Sequence, residues 1–367
     1  MFWIILIALL IVATYSFSVC SYSFGWRKTI DFVASQTSDQ VLVSIILSVR
    51  NEQNTIVKLL DSIFSQTYKK YELIVIDDHS EDNTVDIISS YVTQNSFLRL
   101  LKSTSFGKKK ALRQGISNAS GELIVCVDAD CQFGHDWLKT IVSFYEIHKP
   151  DMIIAPVRML HNGAFFEKVQ SLDFLSLSGS AGGSAGIGMP ILCNGANLAF
   201  TKDVYVKSES LLCNQEVSGD DMFLLSAIKK QKGNILYLKS KEAIADTYPC
   251  ITLNDFLQQR MRWVSKSKSY TDWQIIACAL IVFCMQVALL VSFVGSFWYN
   301  ECVVLFVILF FMKLFADSML LIPTSKFFNQ TRLLWYIFVV SLFYPVYVFA
   351  VMLMPILKPL YWKNRKI

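Results

Sequence analysis

The stretch GELIVCVDAD, residues 121–130, contains the uninterrupted apolar segment LIVCV, which is followed by two carboxylates one residue apart. Apolar segments without polar alternation are typical of strands in a parallel sheet that is covered on both faces. Buried carboxylates cost free energy unless they are paired or bind a metal ion. Asp128 and Asp130 are therefore expected to converge on a bound group at a strand end, although a D-x-D pair also occurs in ordinary surface loops.

Other apolar segments alternate with helical patterns around this strand, namely residues 41–49, 72–78, the weaker 97–103, and 151–159. The alternation predicts an α/β domain with a mostly parallel, Rossmann-like sheet and helices on both faces. In such sheets ligands bind beyond the C-terminal ends of the strands. The acidic residues that follow these segments are therefore expected to gather at one edge of the sheet.

The ends of the chain have a different composition from its middle. The protein has 367 residues, is 53% hydrophobic, and has a mean hydropathy of +0.42, which is too apolar for an ordinary soluble enzyme. Residues 1–26 contain no Lys, Arg, Asp or Glu, and long apolar segments follow at 275–298, 302–322 and 333–357. Each is long enough to cross a bilayer.

We predict four parts of the chain: a transmembrane anchor over 1–26, a soluble domain over 40–270 that ends in an interfacial helix, a membrane cluster of about three segments over 274–357, and a basic tail over 358–367. A cleaved signal peptide is the alternative for the first part, but that segment lacks a basic start and a clear cleavage site. Four spans would place the tail outside the cell. Pro345 and Pro355 interrupt the last segment, so it is the one that could fail to span. Lys313 and Asp317 lie one helical turn apart and are expected to pair.

Charge and cysteine content indicate the compartment. Basic residues flank the membrane segments on the side of the soluble domain, at Arg27, Lys28, Arg260, Arg262, Lys266 and Lys268. The positive-inside rule then places that domain in the cytoplasm. The nine cysteines form no C-x-x-C pair, which favours a reduced compartment. The net charge of +5 lies near membrane boundaries and requires no nucleic-acid partner.

Three further motifs have both a structural and a functional explanation. Lys108, Lys109 and Lys110 begin a helix, where anions bind, but they also suit a solvated basic loop. GDD at 219–221 places two acids at a helix start, where capping explains one of them. QQRMRW at 258–263 is either a basic interfacial helix with an anchoring Trp or a diphosphate site with a stacking ring.

Taken in order, the motifs resemble those of membrane-bound family 2 glycosyltransferases with a GT-A fold. The matching stretches, over roughly 41–265, are VSIILSVRNEQN with LIVIDDHSEDNT, VDAD, GDD and QQRMRW. The resemblance implies an inverting transferase that uses a nucleoside diphosphate sugar, with a UDP-sugar as the first candidate and a hexose or N-acetylhexosamine as the sugar. It also implies an integral protein of a bacterial inner membrane.

On the donor side, the resemblance assigns the nucleotide base and ribose to Asn51, Glu52, Asp77 and Asp78. Lys108 or Lys109 would lie near the nucleotide. Asp128 and Asp130 match the D-x-D motif and would bind Mg²⁺ or Mn²⁺ together with the diphosphate, with Asp130 the more direct ligand.

On the acceptor side, Asp221 would be the general base, next to Asp220 where the family usually has a longer Glu. Gln259, Arg262 and Trp263 match Q-x-x-R-W and would close the site over the diphosphate and acceptor. CNGAN at 193–197 resembles the segment before the acceptor-side strand.

The sequence leaves the acceptor open. Q-x-x-R-W is widespread in processive synthases of the cellulose, chitin and hyaluronan type, and it also occurs in enzymes that glycosylate lipids. A polysaccharide needs a protein-lined path across the bilayer, which three or four helices hardly enclose, so a lipid or lipid-linked acceptor is preferred. An inactive membrane scaffold is the alternative of another class, and a transporter or channel is weaker because the spans contain few polar residues. GGSAGIG at 182–188 is expected to be a loop or a flexible connection.

Overall fold

The computed structural model describes residues 2–212, 220–357, 361–362 and 365–366. The first half of the domain follows an N-terminal helix and consists of α1 (Phe2–Lys28), β1 (Val43–Val49), α2 (Ile56–Phe64), β2 (Tyr71–Asp77), α3 (Thr84–Val92), β3 (Leu98–Lys102), α4 (Lys108–Ser117) and β4 (Leu123–Val127). The second half consists of β5 (Gln132–Phe133), α5 (Trp137–His148), β6 (Met152–Ile154), β7 (Val157–Met159), α6 (Phe165–Gly186), β8 (Asn197–Thr201), α7 (Lys202–Ser208), α8 (Asp220–Lys230), β9 (Ile235–Tyr237), β10 (Ala245–Thr247) and α9 (Leu253–Ser265).

The C-terminal part is almost entirely helical. It contains α10 (Trp273–Gly295), α11 (Asn300–Phe327), α12 (Ile337–Leu357) and the short strands β11 (Tyr361–Trp362) and β12 (Arg365–Lys366). Short 3₁₀ turns occupy Glu209–Leu211, Lys266–Ser269 and Thr331–Tyr336. The predicted basic tail over 358–367 lies largely outside the described residues, as does Gly219 of GDD.

The main sheet confirms the predicted α/β fold. Its strand order is β3-β2-β1-β4-β8-β6-β9, and β8 alone runs antiparallel to its neighbours. Val43, Ile45 and Leu47 of β1 pack into one hydrophobic cluster, whereas Ile46 packs into the cluster on the opposite face. Both faces are therefore covered, which explains why the strands show no polar alternation.

The expectation of a single strand over 151–159 is wrong. The segment forms two strands in different sheets, because β6 pairs with β8 and β9 while β7 joins a small sheet with β10 and β5. Pro156 lies between β6 and β7 and has no amide hydrogen to donate to a strand partner. The chain therefore leaves the main sheet at this proline.

The expectation of a loop or flexible connection over 182–188 is also wrong, because residues 182–186 form the last turns of α6. The small residues there allow close helix packing instead of flexibility. A Cβ on Gly183 would overlap the carbonyl oxygen of Tyr22, and one on Gly186 would overlap that of Gly25. Close backbone approach of this kind is typical of helix pairs in membranes. Helix α1 is thus packed against the α/β domain through α6.

We expect Gly183→Ala to destabilise the protein, because the added methyl group would press against the backbone of α1. Such overpacking costs about 1–3 kcal/mol. Thermal unfolding of the purified protein in lipid nanodiscs measures the effect. Gly134→Ala is the matched control, since a Cβ at Gly134 meets no atom within 4 Å. Equal melting temperatures for the two variants would show that the α1–α6 contact is not a tight one.

In the described part of the chain, four helical segments are long and apolar enough to cross a membrane: Phe2–Lys28, Trp273–Gly295, Asn300–Phe327 and Thr331–Pro355. The expectation that Pro345 and Pro355 interrupt the last segment is wrong, because both lie inside α12. Membrane helices tolerate proline where neighbouring groups satisfy the freed backbone atoms. The predicted pairing of Lys313 with Asp317 is confirmed, with 2.5 Å between Nζ and Oδ2.

Candidate active site

The sheet topology brings acidic residues to one edge. Strands β1 and β4 are parallel neighbours, so Glu52 after β1 and Asp128 and Asp130 after β4 emerge side by side. A cavity of about 870 Å³ opens at this edge and continues between the apolar helices. Most of the site residues predicted from the sequence line it, namely Glu52, Lys108, Lys109, Asp128, Asp130, Asp220, Asp221, Gln259, Arg262 and Trp263.

Asp128 and Asp130 have different surroundings. Nζ of Lys108 lies 2.5 Å from Oδ1 of Asp128, whereas Oδ2 of Asp130 accepts a hydrogen bond from the Thr247 hydroxyl at 3.1 Å. Burial, together with the neighbouring charges of Asp128 and Glu52, raises the pKa of Asp130. A second cation near this pair would stabilise both carboxylates in their ionised form.

Asp220 and Asp221 lie in the first turn of α8. The Asp221 carboxylate accepts hydrogen bonds from two backbone amides, Met222 at 2.8 Å and Gly195 at 3.2 Å. Gly195 belongs to CNGAN, so this segment fixes the orientation of the acid. The carboxylate of Asp220 lies 3.8 Å from Nζ of Lys109. Burial, with the nearby charge of Asp221, nevertheless raises the pKa of Asp220 to about 6.

This pKa shift predicts a pH-dependent effect of Asp220→Asn on stability. A carboxyl group whose pKa is raised from 3.8 to about 6 favours the folded state when protonated, and this contribution is lost as the pH rises through 6. The Asn variant does not titrate. At pH 4 its melting temperature should therefore be close to that of the wild type. Above pH 6.5 its melting temperature should be higher, and the gain in unfolding free energy should be at most about 3 kcal/mol.

Melting curves of the nanodisc-embedded protein between pH 4 and 8 measure this difference. Asp203→Asn on α7 is the control, since its carboxylate is exposed and should show no such trend. If the difference in melting temperature between Asp220→Asn and the wild type stays constant over this pH range, the raised pKa of Asp220 is refuted.

Helix α9 presents the Q-x-x-R-W residues on one face. Gln259, Arg262, Trp263 and Lys266 follow helical spacing, and all four line the cavity. Burial lowers the pKa of Arg262. A guanidinium that has lost part of its hydration binds an anion more strongly, so Arg262 suits a diphosphate.

Arg260 was expected to be a basic residue at the membrane interface, and this is wrong. Its side chain is buried, and Nη2 lies 2.8 Å from Oδ2 of Asp173 in α6. The guanidinium also lies 4.2 Å from the centre of the Trp263 ring. Residues two apart on a helix face different directions, so Arg260 points away from the face of Arg262.

Asn51, Asp77 and Asp78 are outside the cavity wall. Oδ1 of Asn51 accepts from the Glu81 amide at 2.8 Å, and Oδ1 of Asp77 accepts from the Ser80 amide at 3.1 Å. Asp78 is fully buried and accepts from the Gly107 amide at 3.0 Å. These side chains shape the loops at the strand ends, and their contact with a nucleotide stays a prediction.

Among the cavity-wall residues that sequence reasoning missed are Tyr15, Asp173 and Tyr344, because none of them belongs to a recognisable motif. Thr247, which contacts Asp130, was missed for the same reason. A lone Asp in the apolar stretch of α6 was the one available signal, since a buried acid requires a partner.

Two family descriptions match the chain: Glycosyl transferase family 2 over residues 44–196, and Glycosyl transferase family group 2 over residues 123–362. The protein is 30% identical over 139 residues to the poly-beta-1,6-N-acetyl-D-glucosamine synthase of Staphylococcus aureus (strain MSSA476). The matched region is 37% of this chain and 34% of the relative. The synthase of the same name from Staphylococcus epidermidis is 30% identical over 138 residues, with the same two shares. The matched region thus spans about a third of the length of these curated relatives.

A solved structure supports the fold. The mannosyltransferase PcManGT from Pyrobaculum calidifontis, in complex with GDP-Man and Mn²⁺, is similar with a TM-score of 0.57 and 16% sequence identity, over 94% of this chain and 99% of that one. At this identity the likeness concerns the GT-A-like fold alone. The second family match covers more than half of the chain, and the protein therefore belongs to glycosyl transferase family group 2.

Proposed function

We propose that this protein is an inverting glycosyltransferase that moves a sugar from a nucleoside diphosphate sugar to a lipid or lipid-linked acceptor at the cytoplasmic face of a bacterial membrane. The continuity of one cavity carries the proposal. At the edge of the sheet the cavity is lined by Asp128, Asp130 and Asp221. At its other end it is lined by the apolar helices α1, α10, α11 and α12. An acceptor that enters from the bilayer would reach Asp221 without crossing water.

We place the donor at the sheet edge. Lys108 and Arg262 face the cavity there and supply positive charge for a diphosphate. Glu52 lines the same region, while Asn51, Asp77 and Asp78 would act on the base and ribose by shaping the surrounding loops. A UDP-sugar is the first candidate, and the names of the staphylococcal relatives support an N-acetylhexosamine as the sugar.

A divalent cation, Mg²⁺ or Mn²⁺, fits Asp128 and Asp130. Hard cations prefer oxygen ligands and commonly share few protein carboxylates with substrate phosphates. No group of three or more Asp, Glu, His or Cys side chains in the described part of the chain could hold a metal by itself. Bound here, the ion would neutralise the leaving diphosphate.

This arrangement predicts that the nucleotide and the cation bind cooperatively. Mn²⁺ affinity, measured by electron paramagnetic resonance on the nanodisc-embedded protein, should increase roughly 5–150-fold when UDP is added. Lys108→Met should tighten Mn²⁺ binding without UDP, because the Lys108 ammonium contacts Asp128. Lys207→Met on exposed α7 is the control. The same Mn²⁺ affinity with and without UDP would contradict a shared site.

Asp221 is proposed to be the general base. Two backbone amides hold its carboxylate at the start of α8, on the cavity wall. It would take the proton of the acceptor hydroxyl as that oxygen bonds to the anomeric carbon and the bond from this carbon to the diphosphate breaks. A single displacement needs one base and inverts the anomeric centre.

The test is a transfer assay with membranes that contain the protein and a panel of radiolabelled nucleotide sugars, followed by extraction with organic solvent. Label in short, extractable lipid products supports the proposal. Label retained in long polymer supports the second candidate, a processive polysaccharide synthase. Absence of transfer from every donor would reject a transferase and leave the inactive scaffold.

The names of the staphylococcal relatives favour the second candidate, because both are polysaccharide synthases. The matched region covers about a third of each relative, so about two thirds of each synthase lies outside the comparison. The lipid acceptor therefore remains the first proposal, supported by the cavity that opens among the apolar helices.

A further inference from the structure

We infer that a polar cluster inside the membrane helices, formed by Tyr15, Asp173, Lys313, Asp317 and Tyr344, binds a neutral, hydroxyl-rich part of the acceptor. The inference rests on the proposed function and specifies the acceptor chemistry. All five side chains line the same cavity as Asp221.

Contacts connect the cluster from one end to the other. Nζ of Lys313 lies 2.5 Å from Oδ2 of Asp317, and the Tyr15 hydroxyl donates to Oδ1 of the same carboxylate at 2.6 Å. Lys313 also lies 5.4 Å from the centre of the Tyr344 ring. The Tyr344 hydroxyl donates to Oδ1 of Asp173 at 3.3 Å.

The cluster lies deep within the helices. The C-terminal end of α11 is near the sheet, because Phe327 packs against Trp26 and the Phe328 carbonyl accepts from Arg158 of β7. At 1.5 Å per residue, Lys313 is about 21 Å from that end of the helix. Ionised groups at such a depth face protein or a water-filled cavity and commonly mark a substrate path.

The charges of the cluster select the type of ligand. Lys313 is paired with Asp317, and Asp173 is paired with Arg260 behind it. The balance gives no net positive charge to attract a phosphate. A hydrocarbon tail would displace water from these groups and return no hydrogen bond, which is costly. Hydroxyl and amide groups can donate to the carboxylates and to the tyrosine oxygens, whose own hydrogens are directed to Asp317 and Asp173.

A further polar atom extends this wall toward the catalytic residues. Oε1 of Gln259 is buried and accepts no hydrogen bond from the residues that the structure describes. Gln259 lies on the cavity face of α9, beside Trp263. A donor group on the acceptor would satisfy this oxygen. The acceptor hydroxyls could belong to a lipid headgroup or to a nascent glycan.

The experiment compares two double variants in phosphatidylethanolamine–phosphatidylglycerol nanodiscs. Lys313→Met/Asp317→Leu removes both charges of the cluster at similar volume. Asp203→Leu/Lys207→Met removes the exposed pair of the same helical spacing on α7 and is the control. Tyr344→Phe removes one hydroxyl and is the mild variant, which keeps the test valid if the double variant does not fold.

The binding probe is a neutral N-acetylglucosamine tetrasaccharide. Saturation-transfer nuclear magnetic resonance measures its binding. The wild type should bind it, and the cluster double variant should bind at least about tenfold more weakly, as expected for lost hydrogen bonds to charged groups. The control should bind like the wild type, and dodecyl phosphate should not compete. No binding to the wild type, equal binding to both double variants, or displacement by dodecyl phosphate would each overturn the inference.

The transfer assay then separates the two sources of hydroxyl groups. Shorter polymer from the Lys313→Met/Asp317→Leu variant indicates a nascent glycan, whereas slower labelling of a short lipid product indicates a lipid headgroup; unchanged products from that variant would overturn the inference. The Lys313→Met/Asp317→Leu variant should bind UDP with the same affinity as the wild type. If the wild type itself neither binds nor uses any nucleotide sugar, the proposed function fails, which is a different result from loss of tetrasaccharide binding alone.

Discussion

Asp221→Asn should lower the rate of sugar transfer about 10²–10⁴-fold, the usual contribution of a general base. Asn cannot take a proton, but its side-chain oxygen can still accept from the Gly195 amide, so the site should keep its shape. Initial rates with the donor identified in the panel measure the effect. The melting temperature and UDP affinity should stay close to those of the wild type.

Asp203→Asn is the matched control for this prediction, because it makes the same chemical change at an exposed position of α7. Its transfer rate should equal that of the wild type. If Asp221→Asn retained more than a tenth of the wild-type rate, another group would have to be the base. In that case Asp220, in the same turn of α8, would be the next residue to replace.

Asp173→Leu should be strongly destabilising, because it leaves the buried guanidinium of Arg260 without its counter-ion. The two side chains are only 7% and 5% exposed. Removing one partner of a buried ion pair typically costs about 3–5 kcal/mol. Thermal unfolding of the purified protein in nanodiscs should show a clear decrease in melting temperature, accompanied by lower expression.

The double variant Asp173→Leu/Arg260→Met separates charge from packing. Replacing both partners with apolar side chains removes the uncompensated charge, and most of the lost stability should return. A double variant that is as unstable as Asp173→Leu would show that the ion pair does not account for the loss. The effect on transfer is a separate question, because Asp173 also lines the cavity.

Several features were predictable because they depend on neighbouring residues. The apolar run before Asp128 predicts a buried strand, and the parallel pairing of β4 with β1 then places Glu52 beside Asp130. Helical spacing predicts a shared face for Gln259, Arg262 and Trp263, and the structure places all three on the cavity wall. The roles assigned to these residues stay predictions until the variants are measured.

Other features depend on contacts between distant segments. Pro156 divides a segment that reads as one strand, because the two halves find partners in different sheets. Gly183 and Gly186 of α6 belong to a stretch that was predicted to be a loop or flexible connection, but the backbone of α1 occupies the space that their side chains would need. The sequence predicts that Arg260 lies at the membrane interface. Only its ion pair with the distant Asp173 shows that the side chain is buried.

By itself, the sequence determined the α/β class, the apolar helices at both ends and the identity of the acids at the sheet edge, because periodicity and strand ends are local properties. The tertiary structure alone decided that these acids share one cavity with Lys313 and Asp317 of α11. The physical reason is that a cavity is bounded by side chains from many elements. Its shape and polarity arise when the four apolar helices pack around the polar groups that they bury.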